Sequence, residues 1–241
     1  MTALFVGLLV GACMGLFGAG AGSITIPLAV HFMHMPYRTA GIAGLVVVLA
    51  SGLATALISS RKHLVVLRAA WPFLILSTPA TLIAAQFSRH ISNRVSALLL
   101  VFILISASIV FWVRHQAVEA KHDMVRGSLG AIGAGATSGI LGVGAGFVVV
   151  PALRLASGLT IAKAVATSSL ILAINSIAAL IIRQNELRSL NSLWLLALAS
   201  VGGAIAASSL SHHIPSKLRH RGLSILLFGF AMVTLVDAVS K

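Results

Sequence analysis

The chain has 241 residues, of which 59% are hydrophobic and only 9% are charged, and its mean hydropathy is +1.06. A soluble domain carries about 25% charged residues, so this composition excludes a water-soluble globular protein and predicts an integral membrane protein. The formal net charge of +13 would suggest nucleic-acid binding in a soluble protein. Here almost all Lys and Arg residues fall between apolar runs, where they suit lipid headgroups, so we expect no nucleic-acid partner.

The apolar runs predict an all-α, polytopic transmembrane protein. They lack the period-2 alternation of a membrane barrel, which favours helices. The first run covers residues 3–34 and is interrupted near 18–22, and a second interrupted run covers about 127–157. About 20 apolar residues are needed for a helix to cross a bilayer. We predict uninterrupted spans of this length at 39–60, 66–87, 95–113, 161–182, 190–210 and 222–239.

A glycine-rich motif interrupts the first apolar run and returns 124 positions later. Alternating glycines disfavour a helix interior, because each costs about 1 kcal/mol relative to Ala. Proline is best tolerated in the first turn of a helix. Each copy therefore predicts a helix that stops near the glycines and restarts just before the proline. The motif residues are Gly18, Gly20, Gly22 and Pro27 in the first copy and Gly142, Gly144, Gly146 and Pro151 in the second.

The duplication extends over nearly the whole chain and predicts two homologous repeats of about four hydrophobic segments each, at 1–118 and 119–241. The polar stretch 114–126 links them. The first segment of each repeat is either a broken single crossing or a re-entrant segment that returns to its own side. The re-entrant model places 11 Lys and Arg on one side and 6 on the other, against 9 and 8 for single crossings. The positive-inside rule therefore favours re-entrant segments, which make the repeats inverted.

The two breaks form the predicted binding site. A helix that restarts at a break directs its first N–H groups and its positive dipole end there, which favours an anion between the repeats. Nearby hydroxyls and one amide can donate to oxyanion oxygens, although they also suit ordinary interhelical hydrogen bonds. Arg38 and Lys163 begin the spans that follow the breaks, where they either attract an anion into the pathway or anchor headgroups. The candidate polar ligands are Ser51, Thr167, Ser168, Ser169 and Asn175.

Catalysis and metal binding have little support in the sequence. The carboxylates fall in loops or near segment ends, no acid pair occurs, and neither HExxH nor GxSxG is present. His31 and His34 supply too few ligands for a metal site. We therefore expect no enzyme activity, no metal and no cofactor. The four carboxylates are Glu119, Asp123, Glu186 and Asp237.

The paired glycine-proline motif, the stretch 164–169 that follows its second copy, and the four-plus-four hydrophobic plan resemble the sulfite exporter TauE/SafE family of bacterial membrane permeases. The resemblance implies a multi-pass protein of the bacterial cytoplasmic membrane that transports small anions, such as sulfite, sulfonates or related organic acids. The first repeat departs from the second where Gly41 and Gly44 stand in place of Val165 and Ser168. The second repeat is therefore expected to supply more of the side-chain ligands.

Two other functions fit the same features. One is an anion-selective channel with the same architecture, which would not saturate with substrate. The other is a non-transport membrane scaffold or assembly factor, in which the glycine motifs would tolerate larger residues that preserve folding. The expected partners are a small anionic solute and the lipid bilayer. The sequence leaves the oligomeric state open, a homo-oligomer included.

Overall fold

The computed structural model describes residues 2–17, 21–113, 123–187, 193–210 and 216–240. Within these ranges every regular element is helical and none is a strand. This confirms the all-α prediction. Within the described residues, each of the six uninterrupted spans predicted from hydropathy coincides with one helix, because long apolar runs without charges can satisfy their backbone groups in lipid only as helices. Residues 190–192 of the predicted span 190–210 lie outside the described residues.

A 3-10 turn, Ser88–His90, extends the fourth helix. In chain order the α-helices are α1 (Thr2–Phe17), α2 (Ala21–Met33), α3 (Tyr37–Arg61), α4 (Leu67–Phe87), α5 (Asn93–Val113), α6 (Met124–Leu141), α7 (Gly146–Ser157), α8 (Ile161–Ile182), α9 (Gln184–Leu187), α10 (Leu193–Leu210) and α11 (Ser216–Ser240).

Three helical segments of the described chain are long and apolar enough to cross a membrane: Tyr37–Arg61, Leu67–His90 and Ile161–Ile182. Shorter apolar helices accompany them, Asn93–Ile109 and Leu193–Ala207 among these. Large apolar side chains cover the outer surface, which suits contact with lipid tails and would be unfavourable in water. Examples with their exposed fractions are Phe102 (70%), Ile75 (65%), Trp71 (64%) and Leu198 (64%).

The second interrupted segment leaves helical geometry between Leu141 and Gly146. The prediction that the helix restarts just before the proline is wrong in position, since Pro151 is the sixth residue of α7 and Pro27 is the seventh residue of α2. A membrane helix tolerates an internal proline because neighbouring groups can satisfy the freed carbonyl. The glycines therefore set where α7 begins, and the proline does not.

Helices α6 and α7 fold back on each other as an antiparallel hairpin. The backbone N–H of Asp123, which caps the start of α6, donates to the carbonyl oxygen of Leu155 near the end of α7 (3.1 Å). Further along, Gly127 of α6 packs against Ala156 and Gly130 against Ala152. Because one residue number falls as the other rises, the two helices run in opposite directions. Both ends of this segment therefore lie at the same face of the molecule.

Two pairs of long helices pack in parallel through glycines. Gly7 and Gly11 of α1 contact Leu196 and Ser200 of α10 in the same order. Gly135 and Gly139 of α6 contact Ser77 and Thr81 of α4 in the same order. Small residues at such contacts let the backbones approach closely, which is how membrane helices gain packing energy.

The remaining long helices form two further pairs. Arg38 at the start of α3 contacts Arg183 after the end of α8. Further along α3, a Cβ atom added at Gly52 would lie 3.1 Å from the carbonyl oxygen of Ser169, nearer the start of α8. Helices α3 and α8 therefore run antiparallel. Helices α5 and α11 are joined by Ser108 and its hydrogen bonds to α11. The face that holds the start of α3 therefore also holds the end of α8.

Candidate functional site

The site is built around the non-helical segment between α6 and α7. Gly142 ends α6 in the left-handed region (φ 74°), and its N–H donates to the carbonyl oxygen of Ser138 (2.9 Å). Gly144 also has positive φ (40°), and the N–H of Gly146 donates to its carbonyl oxygen (2.6 Å). Positive φ is strained for residues with a Cβ atom, so glycine is required at 142 and 144. The first N–H groups of α7 then lack acceptors within their own helix.

Backbone from the first half of the chain packs directly on this segment. A Cβ atom at Gly22, the described glycine of the first motif, would lie 2.6 Å from the carbonyl carbon and oxygen of Val143. A Cβ at Gly44 of α3 would lie 2.6 Å from the carbonyl oxygen of Gly142. No side chain fits between these backbones, so the fold brings parts of the two glycine motifs into contact. Gly18 and Gly20 lie outside the described residues.

The predicted serines are fully buried, but their hydroxyls donate within their own helices. Ser51 donates to the carbonyl oxygen of Val47 (2.6 Å) and Ser168 to that of Val165 (2.9 Å). Ser169 donates to Ala166 in the same way (2.9 Å). Each hydroxyl oxygen can still accept a hydrogen bond but has no proton left to donate. In this arrangement the serines do not offer donors to an anion.

Thr167 and Asn175 of α8 join this helix to α4. The hydroxyl of Thr167 accepts from the backbone N–H of Val66 (3.0 Å), the residue before α4 begins. The Asn175 carbonyl oxygen accepts from Thr78 (3.0 Å) and Ser77 (3.3 Å), and its amide donates to Ser77 (3.0 Å). Both predicted ligands therefore have interhelical partners.

Two buried hydroxyls that sequence reasoning did not select lack partners among the described residues. They belong to Ser138, one turn before Gly142, and Ser176, which follows Asn175. A hydroxyl buried without a partner is unfavourable by about 1–3 kcal/mol. The spacing of four from Ser138 to Gly142 on α6 is the sequence signal that could have identified the first of them.

The predicted pathway charges occupy different environments. Lys163 is exposed in the first turn of α8. Arg38 is half-buried at the start of α3, and its guanidinium donates to Glu186 (Nη2 to Oε1, 3.2 Å). Arg183 donates to the other oxygen of the same carboxylate (Nη2 to Oε2, 3.2 Å), and Arg89 lies 3.9 Å from it (Nε to Oε1). Arg38 therefore belongs to a cluster of three arginines and one glutamate.

Burial and charge act in opposite directions in this arginine cluster. Burial raises the pKa of Glu186, but the charges of Arg183 and Arg38 and their hydrogen bonds outweigh it and hold that pKa below its usual value. Burial lowers the pKa of Arg183, which is 1% exposed. Arg183 also donates to the carbonyl oxygen of Arg38 (2.9 Å). The sequence signal for Arg183 was its place directly after an apolar span, with Glu186 three residues later.

Comparison with known proteins places the chain in a family. The model of the family described as "Sulfite exporter TauE/SafE" matches residues 3–235. The chain belongs to the sulfite exporter TauE/SafE family. With the apolar helices described above, this membership makes it a multi-pass membrane protein of a transporter family.

Curated relatives carry matching names. A "Probable membrane transporter protein" of Xylella fastidiosa (strain Temecula1) is 28% identical over 224 residues, covering 87% of this chain and 82% of that protein. A "Probable membrane transporter protein" of Haemophilus influenzae is 25% identical, covering 100% of this chain and 97% of that protein. No solved structure matches the chain.

Proposed function

We propose that this TauE/SafE family member transports small anions, such as sulfite, sulfonates or related organic acids, across the bacterial cytoplasmic membrane. The solute would pass between the two glycine breaks. The observation that carries the proposal is the backbone contact between Gly22 and the segment at Val143 and Gly144. Interrupted helices that meet inside a membrane expose backbone groups there, and these are the groups from which transporters build solute sites.

Two inverted repeats are the second part of the proposal. Gly11 contacts Ser200, and Gly135 contacts Ser77. Gly135 lies 124 positions after Gly11, as in the glycine motif, and Ser200 lies 123 positions after Ser77, which is the offset at which residues 214–218 repeat residues 91–95. Each broken segment thus packs on a helix of the other half. Exchanged contacts of this kind support a two-fold arrangement of the repeats, with the site at their interface.

The directions of the helices support re-entrant first segments. The hairpin of α6 and α7 begins and ends at one face, which also holds the connection from α3 to α4, because α4 and α6 run parallel. In the re-entrant arrangement this face carries 11 of the 17 Lys and Arg residues. The positive-inside rule makes it the cytoplasmic face.

An anion at the break would meet the N-terminal end of α7. The dipole of a helix favours negative charge at that end. The N–H of Gly146 donates to Gly144 and those of Val148 and Val149 donate to Ala145, so within the described first turn the N–H of Phe147 is the one left to donate to an oxyanion oxygen. The unpartnered hydroxyl of Ser138 lies one turn before the break. Four described members of the glycine motif (Gly22, Gly142, Gly144 and Gly146) thus act through their backbones, whereas the serines of α8 are secondary.

Replacing Gly144 by Leu tests the proposal. A Cβ atom there would lie 2.6 Å from Cγ2 of Val48, and its φ of 40° disfavours any side chain. Saturable anion flux in proteoliposomes should be abolished. Gly229→Leu is the matched control, because nothing lies within 4 Å of a Cβ at that position. Gly20→Leu is expected to reduce flux as well.

A double variant separates loss of the site from misfolding. In Gly144→Ala with Val48→Ala the overlap with the Val48 methyl groups is removed and the strain of a positive φ remains, so the amount in the membrane should stay near that of wild type while the added Cβ in the break keeps flux low. Near-normal saturable flux in Gly144→Leu, at matched protein amounts, would show that the motif serves helix packing and that the site lies elsewhere.

A further inference from the structure

The arginine cluster, defined by Arg38, Arg89, Arg183 and Glu186, carries more positive charge than its one carboxylate can balance. Three guanidinium groups approach Glu186 at N–O distances of 3.2, 3.2 and 3.9 Å, so the cluster has a net charge of +2. Elsewhere in the described part of the chain, Arg126 pairs with Asp123 (Nε to Oδ2, 3.1 Å), and His31 lies 4.0 Å from Asp237 (Nδ1 to Oδ2). The side chains of Arg89 and Arg38 are 46% and 35% exposed, whereas that of Arg183 is 1% exposed, so solvent screens only part of this charge and the remainder attracts an anion.

Two guanidinium N–H groups in the cluster are buried without acceptors. Among the described residues, the Nε atoms of Arg38 and Arg183 have no hydrogen-bond partner. Arg183 is 1% exposed, so water does not reach the whole group. A buried donor left unpaired costs about 1–3 kcal/mol, and more when it is charged. These N–H groups are the donors that a planar guanidinium offers to a second oxyanion.

The cluster lies next to the end of α6. A Cβ atom at Gly41 would contact the carbonyl oxygen of Leu141 and would lie 3.5 Å from Nη1 of Arg183. A small cavity of about 10 Å³ extends from Arg38 to Leu141, the last residue before the break. That volume holds about one water molecule and no sulfite-sized anion. An anion could enter here only by displacing a group that is already present.

We propose that Arg38, Arg89 and Arg183 form a binding site for the transported oxyanion, and that Glu186 occupies this site until the oxyanion displaces it. The proposal rests on the anion transport proposed above. The Glu186 carboxylate presents two oxygens to Arg38 and Arg183 at the same distance, as an incoming oxyanion would. Helix α9, which carries Glu186, has only four residues, so the carboxylate can move without rearranging a membrane-spanning helix.

The test is sulfite and sulfate binding to the purified full chain in lipid nanodiscs. The half-saturating anion concentration is measured from the thermal shift at constant ionic strength, with chloride as balancing salt. If the tethered carboxylate fills the site nine-tenths of the time, Glu186→Gln should lower that concentration about tenfold. Arg89→Gln, which leaves the two most buried partners in place, should raise it several-fold.

Matched controls separate the effect of the arginine site on anion binding from the effect of the protein's net charge. Asp237→Asn removes a carboxylate near Tyr37 at the same face, and Arg94→Gln removes an exposed arginine. Both should leave the half-saturating concentration unchanged. The proposal is overturned if Glu186→Gln, still folded, binds sulfite no more tightly than wild type, or if Asp237→Asn tightens binding equally.

Flux measurements keep this test separate from that of the glycine breaks. If Gly144→Leu abolishes flux but Glu186→Gln does not tighten anion binding, the arginine site is wrong and transport through the breaks stands. If Glu186→Gln tightens binding while Gly144→Leu transports normally, the arginine site stands and the path through the breaks is wrong.

Discussion

Replacing Gly135 by Ala should weaken the contact between α4 and α6, and the structure supplies its own control on the same helix. A Cβ at Gly135 would overlap the carbonyl oxygen of Ser77 and would lie 2.9 Å from its carbonyl carbon and 3.0 Å from Cβ of Ala80. Backbone atoms cannot rotate away as the end of a side chain can, so the helices must separate. At Gly133, nothing lies within 4 Å of the added Cβ.

The expected magnitude is a difference between two terms. Gly→Ala in a helix interior is favourable by about 1 kcal/mol, so Gly133→Ala should stabilise the protein by roughly that amount. Overpacking costs about 1–3 kcal/mol, so Gly135→Ala should be neutral to destabilising by about 2 kcal/mol. Thermal and denaturant unfolding of both purified variants in one detergent, followed by Trp fluorescence, measures the difference. Equal stabilisation by the two substitutions would refute the close approach of α4 and α6.

Two further predictions concern topology and the predicted ligands. In a Cys13→Ser background, Leu64→Cys and Ser216→Cys should be labelled from the same side of the membrane, and labelling from opposite sides would contradict inverted repeats with re-entrant segments. Asn175→Leu should raise the half-saturating substrate concentration more than Ser51→Leu, because the Asn175 amide has a second N–H besides the one that donates to Ser77, whereas the Ser51 hydroxyl donates its one proton within its own helix; equal effects in a flux assay would contradict this.

Hydropathy predicted the helices well, but the prolines were a poor guide to where a helix begins. The span predicted at 161–182 is helix α8 at the same residues, because an uncharged apolar run has only one way to satisfy its backbone in lipid. The helix restart was predicted too late because Pro151 was treated as it would be in water. In fact α7 begins at Gly146, where the backbone recovers from the positive φ of Gly144.

The arginine cluster could not be predicted because it depends on tertiary contacts. Arg38 and Arg183 are 145 residues apart and meet only because α3 and α8 run antiparallel. In the sequence Glu186 was one of four carboxylates near segment ends, and only Arg183, three residues earlier, gave a local sign of a partner. Likewise the hydrogen bonds of Asn175 to α4 have no local signal, so the choice between ligand and helix contact stayed open.

The hydrogen bonds between α4 and α8 have a mechanical consequence. The Thr167 hydroxyl accepts a hydrogen bond from the N–H of Val66 just before α4 begins. Further along, the Asn175 side chain accepts from Ser77 and Thr78 of α4. The two attachment points on α8 are eight residues apart, about 12 Å along the axis. Sliding one helix past the other by a single turn would break both attachments at once. We therefore expect α4 and α8 to move together as one unit. If the protein alternates between inward-open and outward-open forms, the change should occur at other helix contacts.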